Sequence, residues 1–344
     1  MKKAGLYIHI PFCRSKCPYC DFYSVRYDEV LAEKYTDRLC EEIKKYQGKF
    51  DTIYFGGGTP SIIDSHLIGK IIENCYHQFD IDNNAEITIE CNPSKNLEQD
   101  FKEYQSFGIN RISLGMQSAK DEERFALGRR AGQTEVTKAV YDAKNAGINN
   151  ISLDVMLGTP KQTLESLDET FAFIEKMDVS HISAYMLKIE ENTKFFEIKN
   201  RLALPDDDTV AQMYLKTIDC LKSIGFKQYE ISNFSKPGFE SRHNLKYWEL
   251  KDYLGIGSSA HSLWDGKRFF YDKDFKIHYD GEGKTEQEKI MLGLRLTKGI
   301  DKSWVHNDYT HFVRMGLMNE TEKSISLTPQ GMLVSNYIIS ELID

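Results

Sequence analysis

Short apolar, β-branched segments alternate with longer segments of helical periodicity over roughly the first 230 residues, and this alternation constrains the fold most strongly. Such a pattern is typical of parallel strands joined by helical crossovers, so an α/β fold is predicted, with six βα units in a partial, TIM-like barrel. The predicted strands are residues 5–10, 51–55, 85–91, 111–116, 150–156 and 181–187. The clearest predicted helices are residues 29–46, 65–79, 133–146 and 164–177, and a further one, 210–224, would extend the barrel.

The pattern changes after the predicted barrel. Residues 233–284 are rich in Gly, Ser, Asn and aromatic residues with little periodicity, which indicates irregular structure beside a site. Helical patterns return at 288–296, 304–315 and 329–342, around a short segment at 324–327. We therefore expect a barrel domain over residues 1–232, an irregular segment over 233–284, and a small α-rich, winged-helix-like domain over 285–344.

Charge and hydropathy exclude two classes of protein. The chain carries a net charge of −8, and residues 285–344 contain six Lys or Arg against eight Asp or Glu. Because nucleic-acid modules are basic, no nucleic-acid partner is expected despite the winged-helix pattern. No apolar run approaches the roughly 20 residues that cross a bilayer, and the amino-terminal apolar stretch is too short for a signal peptide. We expect a cytoplasmic protein.

Three of the seven cysteines, Cys13, Cys17 and Cys20, lie within eight residues, directly after the first predicted strand. Iron–sulfur clusters are held by thiolates, normally four, so three thiolates would leave one iron without a protein ligand. That iron could bind the amino and carboxylate groups of S-adenosylmethionine. The alternative is a zinc site completed by a distant histidine, although structural zinc usually uses paired cysteines with a second pair downstream, which is missing here.

The segment Tyr7-Ile-His-Ile-Pro-Phe-Cys13-x3-Cys17-x2-Cys20 resembles the signature of radical S-adenosylmethionine (SAM) proteins. The resemblance is to the oxygen-independent coproporphyrinogen III oxidase family and its relatives, the HemW-type haem chaperones, and it extends over nearly the whole chain. It implies a [4Fe–4S] cluster on the three cysteines, with SAM as a second cofactor.

The same resemblance implies a set of SAM-binding residues at the strand ends. The loop Gly56-Gly57-Gly58-Thr59-Pro60 would hold the methionine moiety, and two tyrosines would pack near the cluster and the adenosyl group. Polar residues after consecutive strands would contact one or two SAM molecules, with Glu90 assigned to the first. A solvated rim, a salt bridge or core packing would explain any one of them. The set is Tyr7, Tyr19, Gly57, Gly58, Thr59, Glu90, Gln117, Arg129 and Asp154.

Two features favour the chaperone branch of the family. The oxidases carry a further cysteine where this chain has Phe22, and they have a longer segment before the first strand. The segment 242–248 matches the HNxxYW motif that is associated with haem in the chaperones. The resemblance implies His243 as an iron ligand, with Tyr247 and Trp248 against the macrocycle and Arg242 or Lys246 at a propionate. His261, in a glycine-rich segment, is the alternative iron ligand, and hydrogen bonding within a loop is the alternative role for His243.

These features predict a haem chaperone that carries a [4Fe–4S] cluster and SAM and passes haem to acceptor haemoproteins. An acceptor among membrane respiratory proteins would place the chaperone at the membrane periphery. Two rival functions stay open: oxygen-independent coproporphyrinogen III oxidase, and a zinc-stabilised binding module without radical chemistry. The pattern leaves open whether SAM is cleaved and whether haem is attached covalently.

Overall fold

A twelve-stranded sheet organises the fold of the computed structural model, which describes residues 3–93 and 97–343. The predicted domain ends at residues 1 and 344 lie outside these ranges. The strands are β1 (Ala4–Ile10), β2 (Phe12–Cys13), β3 (Val25–Arg26), β4 (Lys49–Gly57), β5 (Asp80–Cys91), β6 (Arg111–Gln117), β7 (Asn150–Leu157), β8 (His181–Met186), β9 (Lys227–Glu230), β10 (Asn233–Ser235), β11 (Tyr253–Ile256), β12 (His261–Trp264), β13 (Lys267–Tyr271), β14 (Ile277–Glu282), β15 (Ile300–Asp301), β16 (Met318–Glu320) and β17 (Ser324–Leu327).

Helices connect most of these strands. They are α1 (Glu29–Ile43), α2 (Ser65–Gln78), α3 (Glu98–Ser106), α4 (Asp121–Ala126), α5 (Gln133–Asn145), α6 (Leu164–Met177), α7 (Lys194–Glu197), α8 (Asp207–Ser223), α9 (Arg242–Trp248), α10 (Glu286–Gly293), α11 (Thr310–Arg314), α12 (Pro329–Leu333) and α13 (Ser335–Leu342). No helix of the described residues is long and apolar enough to span a bilayer.

The predicted barrel is confirmed. Strands β1, β4, β5, β6, β7 and β8 are parallel neighbours in that order. All six predicted strands are present, and the five predicted helices occur as α1, α2, α5, α6 and α8, within a few residues of the expected bounds. The connections through α3 and α4 are additional. Because all six strands run in one direction, their carboxyl ends meet at one mouth.

The two faces of this parallel sheet differ in chemistry. Alternate residues such as Leu6, Ile53 and Leu114 are fully buried among other apolar side chains. The residues between them carry polar and aromatic groups that meet across the strands: the Tyr7 ring stacks on Tyr54 with centroids 6.2 Å apart. A TIM-barrel interior is normally filled by branched aliphatic residues. This polar interior, which we call the lumen, has the chemistry of a binding site.

The prediction of irregular structure over residues 233–284 is wrong. Strand β10 pairs antiparallel with β8 at one edge of the sheet. At the other edge, β11 pairs parallel with β1, and β12, β13 and β14 follow as antiparallel neighbours. These strands are only three to six residues long and are separated by turns. Strands this short give too few alternations for periodicity to reveal them.

The carboxyl-terminal unit contains more β structure than predicted. A three-stranded antiparallel sheet, β15-β17-β16, packs with α10 to α13. The predicted helix over 304–315 begins only at Thr310, after a 3₁₀ turn at Lys302–Trp304. The predicted final helix is interrupted at Val334, whose backbone leaves the helical region. The unit is joined to the barrel where the Tyr214 hydroxyl on α8 contacts the Met332 sulfur at 3.3 Å.

Candidate functional site

The three predicted cluster ligands lie on one loop at the mouth of the barrel. Cys13 ends the short strand β2, and the backbone N–H of Cys20 donates to the Cys17 carbonyl at 3.1 Å. All three thiols are free and half-buried. The loop is fixed from both sides, because the Tyr27 N–H bonds the Cys13 carbonyl at 2.9 Å and the Phe195 N–H bonds the Pro18 carbonyl at 2.9 Å.

The donor set fits an iron–sulfur cluster in chemical type. Each thiolate of a [4Fe–4S] cluster binds its own iron, so the ligands stand further apart than the ligands of one ion. In residues 3–93 and 97–343, no three His, Cys, Asp or Glu side chains approach closely enough to hold a single ion. Cys13, Cys17 and Cys20 are free thiols on one loop, which is the donor type that an iron–sulfur cluster requires.

A chain of hydrogen bonds surrounds the cysteine loop. The Cys13 Sγ lies 3.6 Å from the Thr59 Oγ1, and the Asn92 amide donates to that same hydroxyl at 3.1 Å. The Arg129 guanidinium donates to the Asn92 carbonyl oxygen and to the Tyr19 hydroxyl, at 2.9 Å in the latter contact. The structure thus brings Thr59, Arg129 and Tyr19 together around the triad. Asn92 was not predicted, although its place just after the third strand is the signal that identified the others.

Two half-buried acids lie in the lumen below this ring. The Tyr54 hydroxyl donates to Glu90 at 2.8 Å, and the Ser113 hydroxyl donates to Asp154 at 3.0 Å. Burial raises the pKa of Glu90 to about 7 and the pKa of Asp154 to about 6. Glu90 is therefore about half-protonated near pH 7, whereas Asp154 is mostly ionised there and reaches half-protonation near pH 6.

Two predicted residues adopt backbone conformations that are costly for most side chains. Gly57 has φ +118°, and a Cβ there would lie 2.7 Å from the His9 ring, so only glycine fits. Gln117 has φ +71° and accepts a hydrogen bond from the Tyr185 hydroxyl at 3.0 Å. Positive φ in a non-glycine residue clusters at functional sites. Gly58 continues the turn, with its N–H bonded to the Ile10 carbonyl at 2.9 Å.

The segment 242–248 forms α9, which packs against β1 and β4 at the amino-terminal end of the lumen. Glu86 on β5 accepts the backbone N–H groups of His243 and Arg242 at 3.0 and 3.1 Å, which satisfies unpaired donors at the start of the helix. The Lys246 ammonium is 2.6 Å from Asp51, and Arg242 pairs with the same carboxylate. Arg242 and Lys246, the two cations expected at a propionate, are thus already paired with Asp51 on the barrel wall.

His243 is fully buried and both of its ring nitrogens are bonded within the protein. Its Nδ1 lies 2.8 Å from the Thr52 hydroxyl and its Nε2 lies 2.8 Å from the Tyr247 hydroxyl. The ring also stacks on Tyr54 with centroids 5.2 Å apart. Burial lowers the pKa of His243 to about 3, so the ring is neutral. As placed, it could ligate iron only by giving up one of these hydrogen bonds.

A cavity of about 850 Å³ opens beside α9 and the cysteine loop. That volume lies within the range of pockets for large small-molecule ligands. Aromatic rings form much of its wall, namely those of Tyr7, Phe22, Tyr23, Tyr247, Trp248 and Tyr253. The cavity therefore joins the cluster loop, the motif helix and the added strands, and its aromatic lining suits a flat apolar ligand.

His261, the alternative iron ligand, lies in the wall of this cavity. Its ring is exposed and stacks on Phe270 across β12 and β13, with centroids 5.1 Å apart. Partial burial lowers its pKa, which keeps the imidazole neutral at pH 7 and its nitrogen lone pair available to a metal. The position of His261 depends on Gly255, where a Cβ would lie 2.2 Å from the His261 carbonyl oxygen.

Several residues of the cavity were not predicted from the sequence, among them Arg268, Glu288 and Met291. The Arg268 guanidinium pairs with the Glu288 carboxylate and donates to the Tyr253 hydroxyl at 3.2 Å. Met291 on α10 lines the same cavity. Arg268 and Glu288 are twenty residues apart, belong to no recognisable motif, and meet only because α10 packs beside β13.

Known proteins are similar to this chain over the barrel and over nearly its whole length. The model of the radical SAM superfamily matches residues 7–174, from β1 into α6. The chain is 32% identical, over 373 aligned positions, to the haem chaperone HemW of Bacillus subtilis (strain 168), and the match covers 98% of each chain. This protein belongs to the HemW family. A second HemW, from Haemophilus influenzae, is 35% identical over 358 positions, covering 96% of this chain and 92% of its own.

A solved structure supports the fold of this HemW-family chain. The coproporphyrinogen III oxidase HemN of Escherichia coli, a radical SAM enzyme, superposes with a TM-score of 0.83. The match covers 99% of this chain and 90% of HemN at 21% sequence identity, so it demonstrates the architecture only. The radical SAM barrel and the carboxyl-terminal unit are therefore shared with that enzyme.

Proposed function

We propose that this HemW-family protein is a haem chaperone that binds haem in the 850 Å³ cavity and transfers it to acceptor haemoproteins. The observation that carries the proposal is the cavity itself, which combines an exposed neutral histidine with aromatic walls beside the cysteine loop. The function class comes from the relatives, which are named haem chaperones. Acceptors would include membrane respiratory haemoproteins, which would bring this chaperone to the membrane periphery.

In this proposal the cluster and SAM occupy the mouth of the barrel. Cys13, Cys17 and Cys20 would hold the [4Fe–4S] cluster, whose iron without a protein ligand would bind the amino and carboxylate groups of SAM. Gly57, Gly58 and Thr59 would approach the methionine moiety. The remaining SAM contacts would come from Tyr7, Tyr19, Glu90, Gln117, Arg129 and Asp154, which line the lumen and its rim.

For haem, the geometry favours His261 over His243 as the iron ligand. The His261 ring faces the cavity, whereas both nitrogens of His243 are used by Thr52 and Tyr247. Tyr247 and Trp248 retain their predicted role, because both side chains line the cavity where a macrocycle would lie. His243 would then act indirectly, by fixing the Tyr247 ring in the wall.

The test is anaerobic reconstitution followed by two measurements on the same sample. Iron and sulfide analysis should give a [4Fe–4S] cluster that is absent from the Cys17→Ala variant. Haem titration should give a saturable one-to-one complex, and mixing this complex with an apo-haemoprotein should move the haem absorbance to the acceptor. A sample that binds haem but never releases it to an acceptor would refute the chaperone role.

The same sample separates the two rival functions. Turnover of coproporphyrinogen III to protoporphyrinogen IX would establish the oxidase instead. A colourless protein that retains zinc after reconstitution would establish the binding module. Either result would contradict the chaperone proposal. The proposal requires that haem transfer proceed without coproporphyrinogen turnover.

A further inference from the structure

Arg268 is the one lysine or arginine among the cavity-lining residues of the described chain. Its guanidinium is partly accessible, with 23% of the side chain exposed, and it is paired with Glu288, which is 14% exposed. An arginine fork matches a carboxylate with two parallel hydrogen bonds, so this residue is already placed to recognise one. In the structure the carboxylate that it holds belongs to the protein.

Glu288 has a second role that does not depend on Arg268. It is the third residue of α10, and its Oε2 accepts the backbone N–H groups of Lys284 and of Thr285, at 3.2 Å in the latter contact. The Thr285 hydroxyl completes the capping box by accepting the Glu288 N–H at 3.1 Å. Separating Glu288 from Arg268 would therefore leave the carboxylate hydrogen-bonded and the start of α10 intact.

The position of Arg268 relative to His261 suits a ligand that carries both a metal and a carboxylate. His261 is opposite Phe270 in the β12–β13 pair, and Arg268 lies two residues before Phe270 on β13. His261 and Arg268 are thus diagonal neighbours on one face of the sheet, a spacing of roughly 7–8 Å. A flat ligand lying along this face could reach both groups at once.

We propose that Arg268 is the receptor for a carboxylate of the bound ligand, and that Glu288 occupies this receptor until the ligand displaces it. The inference rests on the proposed function, in which the ligand is haem and the carboxylate is a propionate. A phosphate dianion is disfavoured relative to a singly charged carboxylate, because Glu288 and Asp21 already place two acids in the cavity wall and repel the higher charge more strongly. Arg242 and Lys246, the cations suggested by the motif, are instead paired with Asp51.

The test compares haem with its dimethyl ester, in which both carboxylates are masked, by titration of the reconstituted full-length protein. Wild type should bind haem roughly tenfold more tightly than the ester, the size expected for a charge-assisted hydrogen bond. Arg268→Gln should lose that preference by weakening haem binding only, and Arg268→Lys should retain part of it. Lys267→Gln is the matched control, because Lys267 precedes Arg268 on β13, faces the other side of the sheet and is not part of the cavity lining, and it should leave both affinities unchanged.

Glu288→Gln should change the haem affinity in the opposite direction. Glutamine keeps the capping box but loses the negative charge, so haem should bind several-fold more tightly while the affinity for the ester stays the same. A parallel thermal scan without ligand checks that α10 is retained. This tightening would arise only if the carboxylate of Glu288 competes with the ligand for Arg268.

Several results would overturn the inference. Equal affinity of wild type for haem and its ester would do so without any variant, even if Arg268→Gln failed to fold. Equal weakening of both ligands by Arg268→Gln, or loss of the preference in Lys267→Gln, would also do so. In each case haem binding itself would survive, whereas a wild-type protein that binds neither ligand would refute the proposed function as well.

Discussion

The lumen of the barrel and the cavity beside it each contain a histidine, and the two histidines are in opposite situations. His243 in the lumen is fully buried, with both nitrogens bonded and the ring stacked on Tyr54. His261 in the cavity is exposed, and its ring stacks on Phe270. A buried, satisfied imidazole stabilises a fold, whereas an exposed neutral one can bind a metal.

The difference shows that a local motif and a ligand site need not coincide. The HNxxYW segment lies at the junction of the two regions and contributes to both: His243 faces the lumen, and Tyr247 and Trp248 face the cavity. In the proposed function, the motif would affect haem binding through the wall that it builds. Variants can test this comparison between His243 and His261 directly, because they distinguish a residue that supports the cavity wall from one that binds the ligand.

The largest effect is expected when each of the two histidines is replaced in turn by alanine and haem binding is measured. His261→Ala should lower haem affinity by more than about a hundredfold, since loss of a group that merely orients a metal ligand already costs about 10–100-fold. It should also change the visible spectrum of the haem complex. His243→Ala, once folded, should keep the wild-type spectrum. A spectrum that changes in His243→Ala and not in His261→Ala would reverse the assignment.

The second effect concerns stability. His243→Ala should lower the free energy of unfolding by about 3–4 kcal/mol, because it leaves a cavity and removes the hydrogen-bond partners of Thr52 and Tyr247. Chemical denaturation at pH 7 measures this value. His77→Ala is the matched control: that ring is exposed on α2 and its ion pair is with Glu73 on the same helix, so its loss should cost less than about 1 kcal/mol. Similar values for both variants would show that His243 is not a structural residue.

A third, smaller effect follows from Glu90, a half-buried acid in the lumen. The pKa of Glu90 is about 7 in the folded protein against 4.5 for an ordinary glutamate, so the folded state binds more protons between these values. The free energy of unfolding should therefore fall as pH rises from about 4.5 through 7. Glu90→Gln should remove up to about 3 kcal/mol of this decline. Denaturation curves of both proteins at pH 5 and pH 8 measure this difference, which includes the charge coupling between Glu90 and Asp154.

The smallest effect is expected where the two regions touch. Tyr247→Phe keeps the ring in the cavity wall but leaves the His243 Nε2 without its partner at 2.8 Å. The free energy of unfolding should fall by about 1 kcal/mol, while the haem affinity should change by less than about threefold. A large loss of haem binding with unchanged stability would instead assign the hydroxyl to the ligand.

The barrel could be predicted from the sequence because its determinants are local. Each of the six strands alternates apolar and polar residues or ends in a turn, and three cysteines in eight residues need no structural context. Polar residues after consecutive strands, such as Glu90 and Asp154, could be placed at one mouth because parallel strands share a direction. These predictions used only the order of elements along the chain.

The rest of the site depends on contacts between distant segments. The sequence predicts His243 as a metal ligand. In the structure its ring is hydrogen-bonded to Thr52, which is 191 residues away. The cavity could not be predicted, because its walls come from β1, the cysteine loop, α9, β11 to β13 and α10, and the strands after β10 are too short to show periodicity. The Arg268–Glu288 pair likewise requires α10 to pack beside β13.

Gly255 shows how far the control of such a site can lie from its ligand. Any larger residue would push away the carbonyl of His261, and with it the imidazole that faces the cavity. A methyl group added there would lie outside the cavity lining, yet it would shift the imidazole that is proposed to bind iron. The shape of the cavity wall is thus set in part by a single hydrogen atom behind it.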